Sequence, residues 1–157
     1  KRIQPTENYC VHIVGDGSEL ENCKNLVNKL QLEDKIIFCG RHPIEEMPGF
    51  YKLADCFLLT LKGDTSIGLT LPAKIQGYLS AGKPIVGAVD GAAYDVICEA
   101  DCGVAVPSGD DLALSQAMID VIRNPSLYRS KGENGSRYYT AQFSKDVFIM
   151  SLLKALK

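Results

Sequence analysis

Thr70-Leu-Pro-Ala-Lys74-Ile-Gln-Gly-Tyr-Leu-Ser-Ala-Gly82-Lys-Pro-Ile-Val-Gly87 is the stretch whose reading decides the fold. It has the order of a helix start, a two-turn helix, a glycine stop and a buried strand. Gly82 stands where helices turn into the left-handed region, and Pro84 blocks any continuation. The strand then runs out into Asp90-Gly91-Ala92, a second loop expected to face the same crevice. A helix N-terminus carries unpaired N–H groups and a partial positive charge, so it attracts phosphate. Lys74, one turn into the expected helix, adds a full positive charge beside the same anion.

The same alternation extends in both directions. Tyr9–Val14 reads as a strand ending in Gly15-Asp16-Gly17. Ser18 and Glu21 form an expected capping box ahead of Leu20, Cys23, Leu26, Val27 and Leu30 at helical spacing. Lys35–Cys39 is a strand ending in Gly40-Arg41-His42-Pro43, Ile44–Ala54 a helix and Asp55–Thr60 a strand. Beyond Gly87, Ala92–Ala100 is a helix and Cys102–Val106 a strand. Helices then start at Ser108, at Asn124-Pro125 and after Ser144. Strands alternating with helices, each strand a continuous apolar run, predict an α/β fold: a Rossmann-like parallel sheet with helices on both faces. Ligands of such sheets bind at the carboxyl ends of the strands. The loops there hold about half of the Gly, Asp and Thr residues of the first two-thirds of the chain, which points to a polar ligand.

Composition narrows the classes. At 157 residues the chain has the size of one domain. A hydrophobic share of 46% with 23% charged residues is that of an ordinary soluble domain. A net charge of −2 supplies no field to hold a polyanion, so nucleic acid is not an expected partner. No apolar run is long enough to span a bilayer, and no basic-then-apolar leader marks secretion. The six cysteines form no CxxC pair, and Cys98-x3-Cys102 has no histidine nearby in sequence. Neither a metal site nor a disulfide framework is expected, and reduced cytosolic thiols are the default.

Each loop has a plain reading beside its functional one. Gly15-Asp16-Gly17 lacks the third glycine of a dinucleotide fingerprint, since Leu20 sits there, and the following strand ends without a ribose-binding acid. It is a tight strand-to-helix turn whose amides could line a crevice. Gly40-Arg41-His42 is either a surface turn or a loop wrapping a nucleotide base, with His42 expected to pack or hydrogen-bond rather than act as a base. Asp64-Thr65-Ser66 offers a carboxylate and hydroxyls suited to a sugar. Glu45-Glu46 and Asp110-Asp111 fall in first turns of helices, where acids offset the dipole.

Taken together, several segments resemble one family. Val14-Gly15-Asp16-Gly17-Ser18, Ile37-Phe38-x-Gly40, Tyr51-x-x-Ala54-Asp55-x-Phe57, Gly68, Leu71-Pro72-Ala73-Lys74, Tyr78-Leu79-Ser80-Ala81-Gly82-Lys83-Pro84-Ile85 and Cys102-Gly103-x-x-Val106 follow the order seen in group-1, family 4-like retaining glycosyltransferases of the GT-B fold. The resemblance runs from about Tyr9 to Pro125. It implies the C-terminal half of such an enzyme, which binds a nucleotide-sugar donor, UDP- or GDP-linked. Gly15, Gly17, Gly40, Arg41 and His42 would lie by base and ribose, and Gly68, Leu69, Thr70 and Lys74 by the diphosphate. No metal and no further cofactor is implied, because fixed dipoles and cations stabilise the leaving diphosphate.

Many members carry two glutamates spaced eight apart around this helix. The second, which holds the ribose hydroxyls, would fall at Gly77. The first has no clean counterpart, and Asp64 and Thr65 are the nearest catalytic candidates. The family's domain also begins with a further strand and helix, and its acceptor binds a separate N-terminal domain. The chain, 1–157, is therefore expected to be a single nucleotide-sugar-binding domain truncated at its N-terminus. The missing N-terminal domain or a partner chain would complete its sheet, and its last helix would pack back toward that domain. The resemblance further implies a cytoplasmic enzyme of polysaccharide synthesis, with peripheral attachment to the inner face of the membrane in the full-length protein. The alternative is a non-catalytic Rossmann-like module that serves assembly or regulation.

Overall fold

The computed structural model describes residue 3, residues 7–63 and residues 70–156. The chain falls into two compact units, Lys1–Phe50 and Tyr51–Lys157. Every strand pairing is parallel, and helices flank the sheets, so the expected α/β class stands. Hydrogen bonding divides the strands into a pair and a triplet.

In the first unit β1 (Val11–Val14) and β2 (Ile36–Gly40) are joined by α1 (Leu20–Leu30). The register runs Val11 to Ile36, His12 to Ile37 and Ile13 to Phe38, then skips so that Val14 faces Gly40. Cys39 is the extra residue of this bulge. The expected capping box does not form. Ser18 and Glu19 lie in a turn closed by the Leu20 N–H on the Gly17 carbonyl, 3.1 Å. The helix thus opens one residue later, behind Glu19, with no side-chain cap, and Glu21 pairs with Lys24 instead. The helix expected from Ile44 begins as a tightened 3-10 turn, Ile44–Glu46, and continues as α2 (Met47–Leu53). Among the described residues of this unit, Val27 alone is a buried hydrophobic residue.

The second unit holds β3 (Phe57–Thr60), β4 (Ile85–Ala88) and β5 (Gly103–Val106), in that order across the sheet. Their crossovers carry α3 (Lys74–Ser80) and α4 (Gly91–Glu99), followed by α5 (Asp111–Arg123), α6 (Pro125–Gln142) and α7 (Lys145–Ala155). Each residue of β4 is buried, as a central parallel strand requires. Leu59, Ile75, Leu79, Ile85, Val89 and Cys102 have no exposed surface and form the centre of the core. Burying each of the large aliphatic members contributes roughly 1.5–3 kcal/mol. The α6 helix lies close to the end of α3 because Gly132 has no side chain: a Cβ there would sit 2.4 Å from the Gly82 carbonyl oxygen. The Lys131 ammonium fixes the same helix to Asp101 at 2.5 Å, and the Tyr138 hydroxyl donates to Glu99 at 3.0 Å.

Two start signals in this unit resolve differently from expectation. The α5 helix is capped by Asp110, whose carboxylate accepts from the Ala113 N–H at 2.9 Å, and not by Ser108. Asn124 does occupy the N-cap of α6 with Pro125 at the first position, but its side chain turns back to Asp120. Ser144 caps α7 as expected, accepting from the Val147 N–H at 3.5 Å. That helix buries no residue and leaves Phe148, Met150 and Leu153 exposed. No helix among the described residues is long and apolar enough to cross a membrane.

Candidate functional site

In the first unit the carboxyl ends of both strands turn on glycine. Gly15 has φ 133° and Gly40 φ 74°, conformations that side chains avoid. The Gly15 N–H donates to the Gly40 carbonyl at 2.7 Å, which ties the two loops together. A Cβ at Gly15, Gly17 or Gly40 would meet nothing within 4 Å, so open space lies beside each. Arg41 is exposed next to Gly40.

His42 is locked by its neighbours. Its Nδ1 lies 2.7 Å from the Glu46 carboxylate and its Nε2 3.1 Å from the Cys39 carbonyl oxygen, while its ring meets Phe50 edge-on at 4.8 Å. Both partners are acceptors only, so both ring nitrogens must donate. The Glu46 hydrogen bond accordingly raises the imidazole above its ordinary 6.5. A ring packed on Phe50 with both nitrogens already hydrogen-bonded is poorly placed to serve as a general base, in keeping with the packing role expected for it.

In the second unit Lys74 is exposed and is the first residue of α3, not a residue one turn inside it. Pro72 explains the shift. Its carbonyl accepts from the Ile75 N–H at 3.0 Å and that of Ala73 from the Gln76 N–H at 3.2 Å, three-residue closures of a tightened turn. Ile75 and Leu79 anchor the inner face of α3 in the core, which leaves Lys74 facing out. Thr70 precedes this turn and is exposed. Asp64, Thr65, Gly68 and Leu69 lie outside the described residues.

Gly77, where the resemblance would put the second glutamate, is walled off. A Cβ at Gly77 would lie 3.2 Å from the Tyr51 ring. Tyr51 stands edge-on to Phe57 at 5.2 Å and to Tyr78 at 5.7 Å, and Phe57 and Tyr78 stack at 4.2 Å. These aromatics therefore bind α3 to the start of β3, a structural role for residues that carried the resemblance.

One arrangement at the strand ends was not anticipated. Asp90, after β4, leaves the start of α4 uncapped and turns to Ser108, after β5, accepting from its N–H at 3.2 Å and from its hydroxyl. The hydroxyl bond holds the carboxyl below its ordinary 3.8. Gly63, in the loop after β3, closes the corner: a Cβ there would lie 3.2 Å from the Asp90 carboxylate and would collide with the Ser108 hydroxyl. The loops after all three strands thus meet at one point. The sequence placed Asp90 and Ser108 in loops on the same side of the sheet, which is the signal that was available. Among the described residues no group of three His, Cys, Asp or Glu side chains is arranged to hold a metal ion.

The family model for glycosyl transferases group 1 matches residues 1–138. The chain belongs to this family. It is 27% identical over 137 residues to the N-acetyl-alpha-D-glucosaminyl L-malate synthase of Bacillus anthracis, covering 87% of this chain and 34% of that protein. It is 26% identical over 129 residues to a GDP-mannose-dependent alpha-(1-6)-phosphatidylinositol monomannoside mannosyltransferase of Mycolicibacterium smegmatis, covering 80% of this chain and 34% of that protein. The chain thus spans about a third of the length of these relatives. Its fold is that of Anabaena HepE solved in complex with UDP, with a TM-score of 0.81 at 19% identity over 94% of this chain and 40% of that one. The expected half of a GT-B fold is therefore present in this group 1 glycosyl transferase.

Proposed function

We propose that this group 1 glycosyl transferase chain is the donor-binding region of a larger retaining enzyme. It takes a nucleoside-diphosphate sugar, UDP- or GDP-linked, and serves hexosyl transfer in the synthesis of a cell-surface polysaccharide or glycoconjugate. The observation that carries this reading is the family match over residues 1–138, which includes every loop at the carboxyl ends of the strands. The UDP in the HepE structure and the GDP-mannose in the name of the mycobacterial relative support a nucleotide-sugar donor.

In this reading Gly15, Gly17 and Gly40 offer backbone amides to base and ribose, where open space lies beside them. Arg41 adds positive charge, and His42, held by Glu46 and the Cys39 carbonyl, stiffens the loop that carries it. Thr70 and Lys74, together with Gly68 and Leu69, face the diphosphate. Lys74 offsets the charge that develops on the leaving group as the sugar bond breaks, a role that needs a fixed cation rather than a proton donor. Asp64 and Thr65 remain the proposed candidates beside the reacting sugar.

We further place the acceptor on a separate domain of the longer protein, against which α7 would pack its apolar side chains. Transfer requires that domain to hold the acceptor in line with the anomeric carbon, so the 157-residue chain binds donor and transfers nothing by itself. We place the full-length enzyme in the cytoplasm with peripheral attachment to the membrane's inner face; the phosphatidylinositol monomannoside in the mycobacterial relative's name is in line with a membrane lipid as substrate.

The wall that Tyr51 makes at Gly77 favours a second reading, a Rossmann-like module that no longer transfers sugar. Titration calorimetry of the full-length protein with UDP, GDP and ADP separates the two. The donor reading expects UDP or GDP to bind, and binding to weaken on Lys74→Ala. Absence of binding by all three nucleotides supports the module.

A further inference from the structure

Three side chains that the nucleotide reading does not use, Cys10, His12 and Cys39, come together across β1 and β2. Cys10 stands just before β1 and His12 is its second residue, and their side chains meet on one side of the chain. Ile37 pairs with His12, and Cys39 lies two residues further on the same side, at the bulge. The Cys10 sulfur lies 3.6 Å from His12 Nε2, and the Cys39 sulfur lies 3.6 Å from His12 Nδ1. The Cys39 sulfur also lies 4.0 Å from the Ile37 carbonyl oxygen. One imidazole is thus flanked by a thiol at each nitrogen. Cys10 is exposed and Cys39 half-buried, so reagents reach both.

A neutral imidazole offers one acceptor nitrogen and one N–H. Whichever thiol donates to it, the other sulfur faces the N–H. Transfer of the thiol proton to the ring then gives an imidazolium that donates to a sulfur on each side. The thiolate, not the thiol, is the nucleophile in cysteine chemistry. We propose that Cys10, His12 and Cys39 form a thiol-modification site, in which His12 takes the proton of a flanking thiol and leaves a thiolate for a soft electrophile or a small-molecule disulfide. With a disulfide, the thiolate forms a new S–S bond as the old one breaks, and the second half of the reagent leaves as a thiolate. With an alkyl halide, the S–C bond forms as halide departs with the bonding electrons. In both cases the proton held by His12 passes to water.

The chain supplies its own controls. It has only two histidines, and both nitrogens of His42 are engaged by Glu46 and the Cys39 carbonyl. Cys23 and Cys98 are exposed without an imidazole to serve them. Burial pushes the Cys56 and Cys102 thiols up to about 12, so they stay protonated.

A brief pulse of limiting iodoacetamide at pH 7, followed by peptide mass spectrometry of each cysteine, reads all six rates in one sample. Cys39 or Cys10 should label about tenfold faster than Cys23 and Cys98, with Cys56 and Cys102 slowest. His12→Asn should bring the fast site to the rate of Cys23 and Cys98 while Cys56 and Cys102 stay slowest, which reports an intact fold. Cys10→Ser should preserve fast labelling at Cys39 if Cys39 is the fast site, and Cys39→Ser should preserve it at Cys10 if Cys10 is. Equal rates at all four accessible cysteines would overturn the proposal, as would fast labelling that survives His12→Asn. The outcome is independent of whether any nucleotide binds.

Discussion

In the sheet of Tyr51–Lys157 every residue of β4 is buried, whereas in the sheet of Lys1–Phe50 no strand residue is. Composition does not explain the contrast. Ile-Ile-Phe-Cys-Gly of β2 is at least as apolar as Ile-Val-Gly-Ala of β4, yet Ile37 remains 43% exposed. What differs is coverage. The second unit supplies α3, α4, α5 and α6 around three strands, and its core cluster draws on both crossover helices. The first unit has α1 and part of α2 beside two strands. An apolar run therefore makes a strand in either place, but only neighbouring elements bury it. The same contrast separates the chemistry: thiols with raised pKa lie in the second unit, and thiols beside an imidazole lie in the first.

The hardest test of this contrast is core truncation. Leu79→Ala should destabilise the second unit by about 2–5 kcal/mol, because its side chain is fully enclosed. Leu26→Ala on α1, where the side chain is 54% exposed, should change stability by less than about 0.5 kcal/mol. Denaturant titration of both variants decides, and equal losses would break the comparison. A second test reads affinity in the full-length protein. Lys74→Ala should weaken nucleotide binding by roughly tenfold or more, the cost of one lost charged hydrogen bond, with the midpoint of thermal unfolding unchanged.

The remaining tests are smaller and turn on pH. Asp90 has a depressed carboxyl, so the Asp90–Ser108 tie contributes stability above its ordinary 3.8 and loses it as pH falls through the lower folded value. Ser108→Ala should therefore lower the unfolding temperature at neutral pH, with a difference from the parent that shrinks in strong acid. His42 behaves with the opposite sign. Its raised imidazole stabilises the Gly40–Glu46 turn fully below 6.5 and loses that contribution as pH rises through the folded value. Proton NMR should show His42 titrating above 6.5, and Glu46→Gln should bring it down. The pair is exposed, so its effect on global stability should be the smallest of the set.

Much of the architecture was legible. The strands from Val11, Ile36, Phe57, Ile85 and Gly103 and the helices that follow them fall where apolar runs and helical spacing put them. Helix starts were less legible. Ser18, Thr70 and Ser108 all looked like start signals, yet α1 opens behind Glu19, α3 behind Ala73 and α5 behind Asp110. The reason is competition for the same groups. Ser108 turns its hydroxyl to Asp90, and Pro72 shortens the first turn of α3. For the site, the glycine turns at Gly15 and Gly40 and the exposure of Lys74 followed from position in the chain. The Asp90–Ser108 join and the wall of Tyr51 at Gly77 did not, since each pairs residues far apart in sequence.

The sequence by itself determined the alternation of strands and helices, the parallel pairing and the family, because these depend on local periodicity and on short motifs. Tertiary structure alone decided which apolar strands are buried, which loop carboxylate meets which hydroxyl, and that Cys39 stands beside His12. Those outcomes depend on register and on the approach of distant segments.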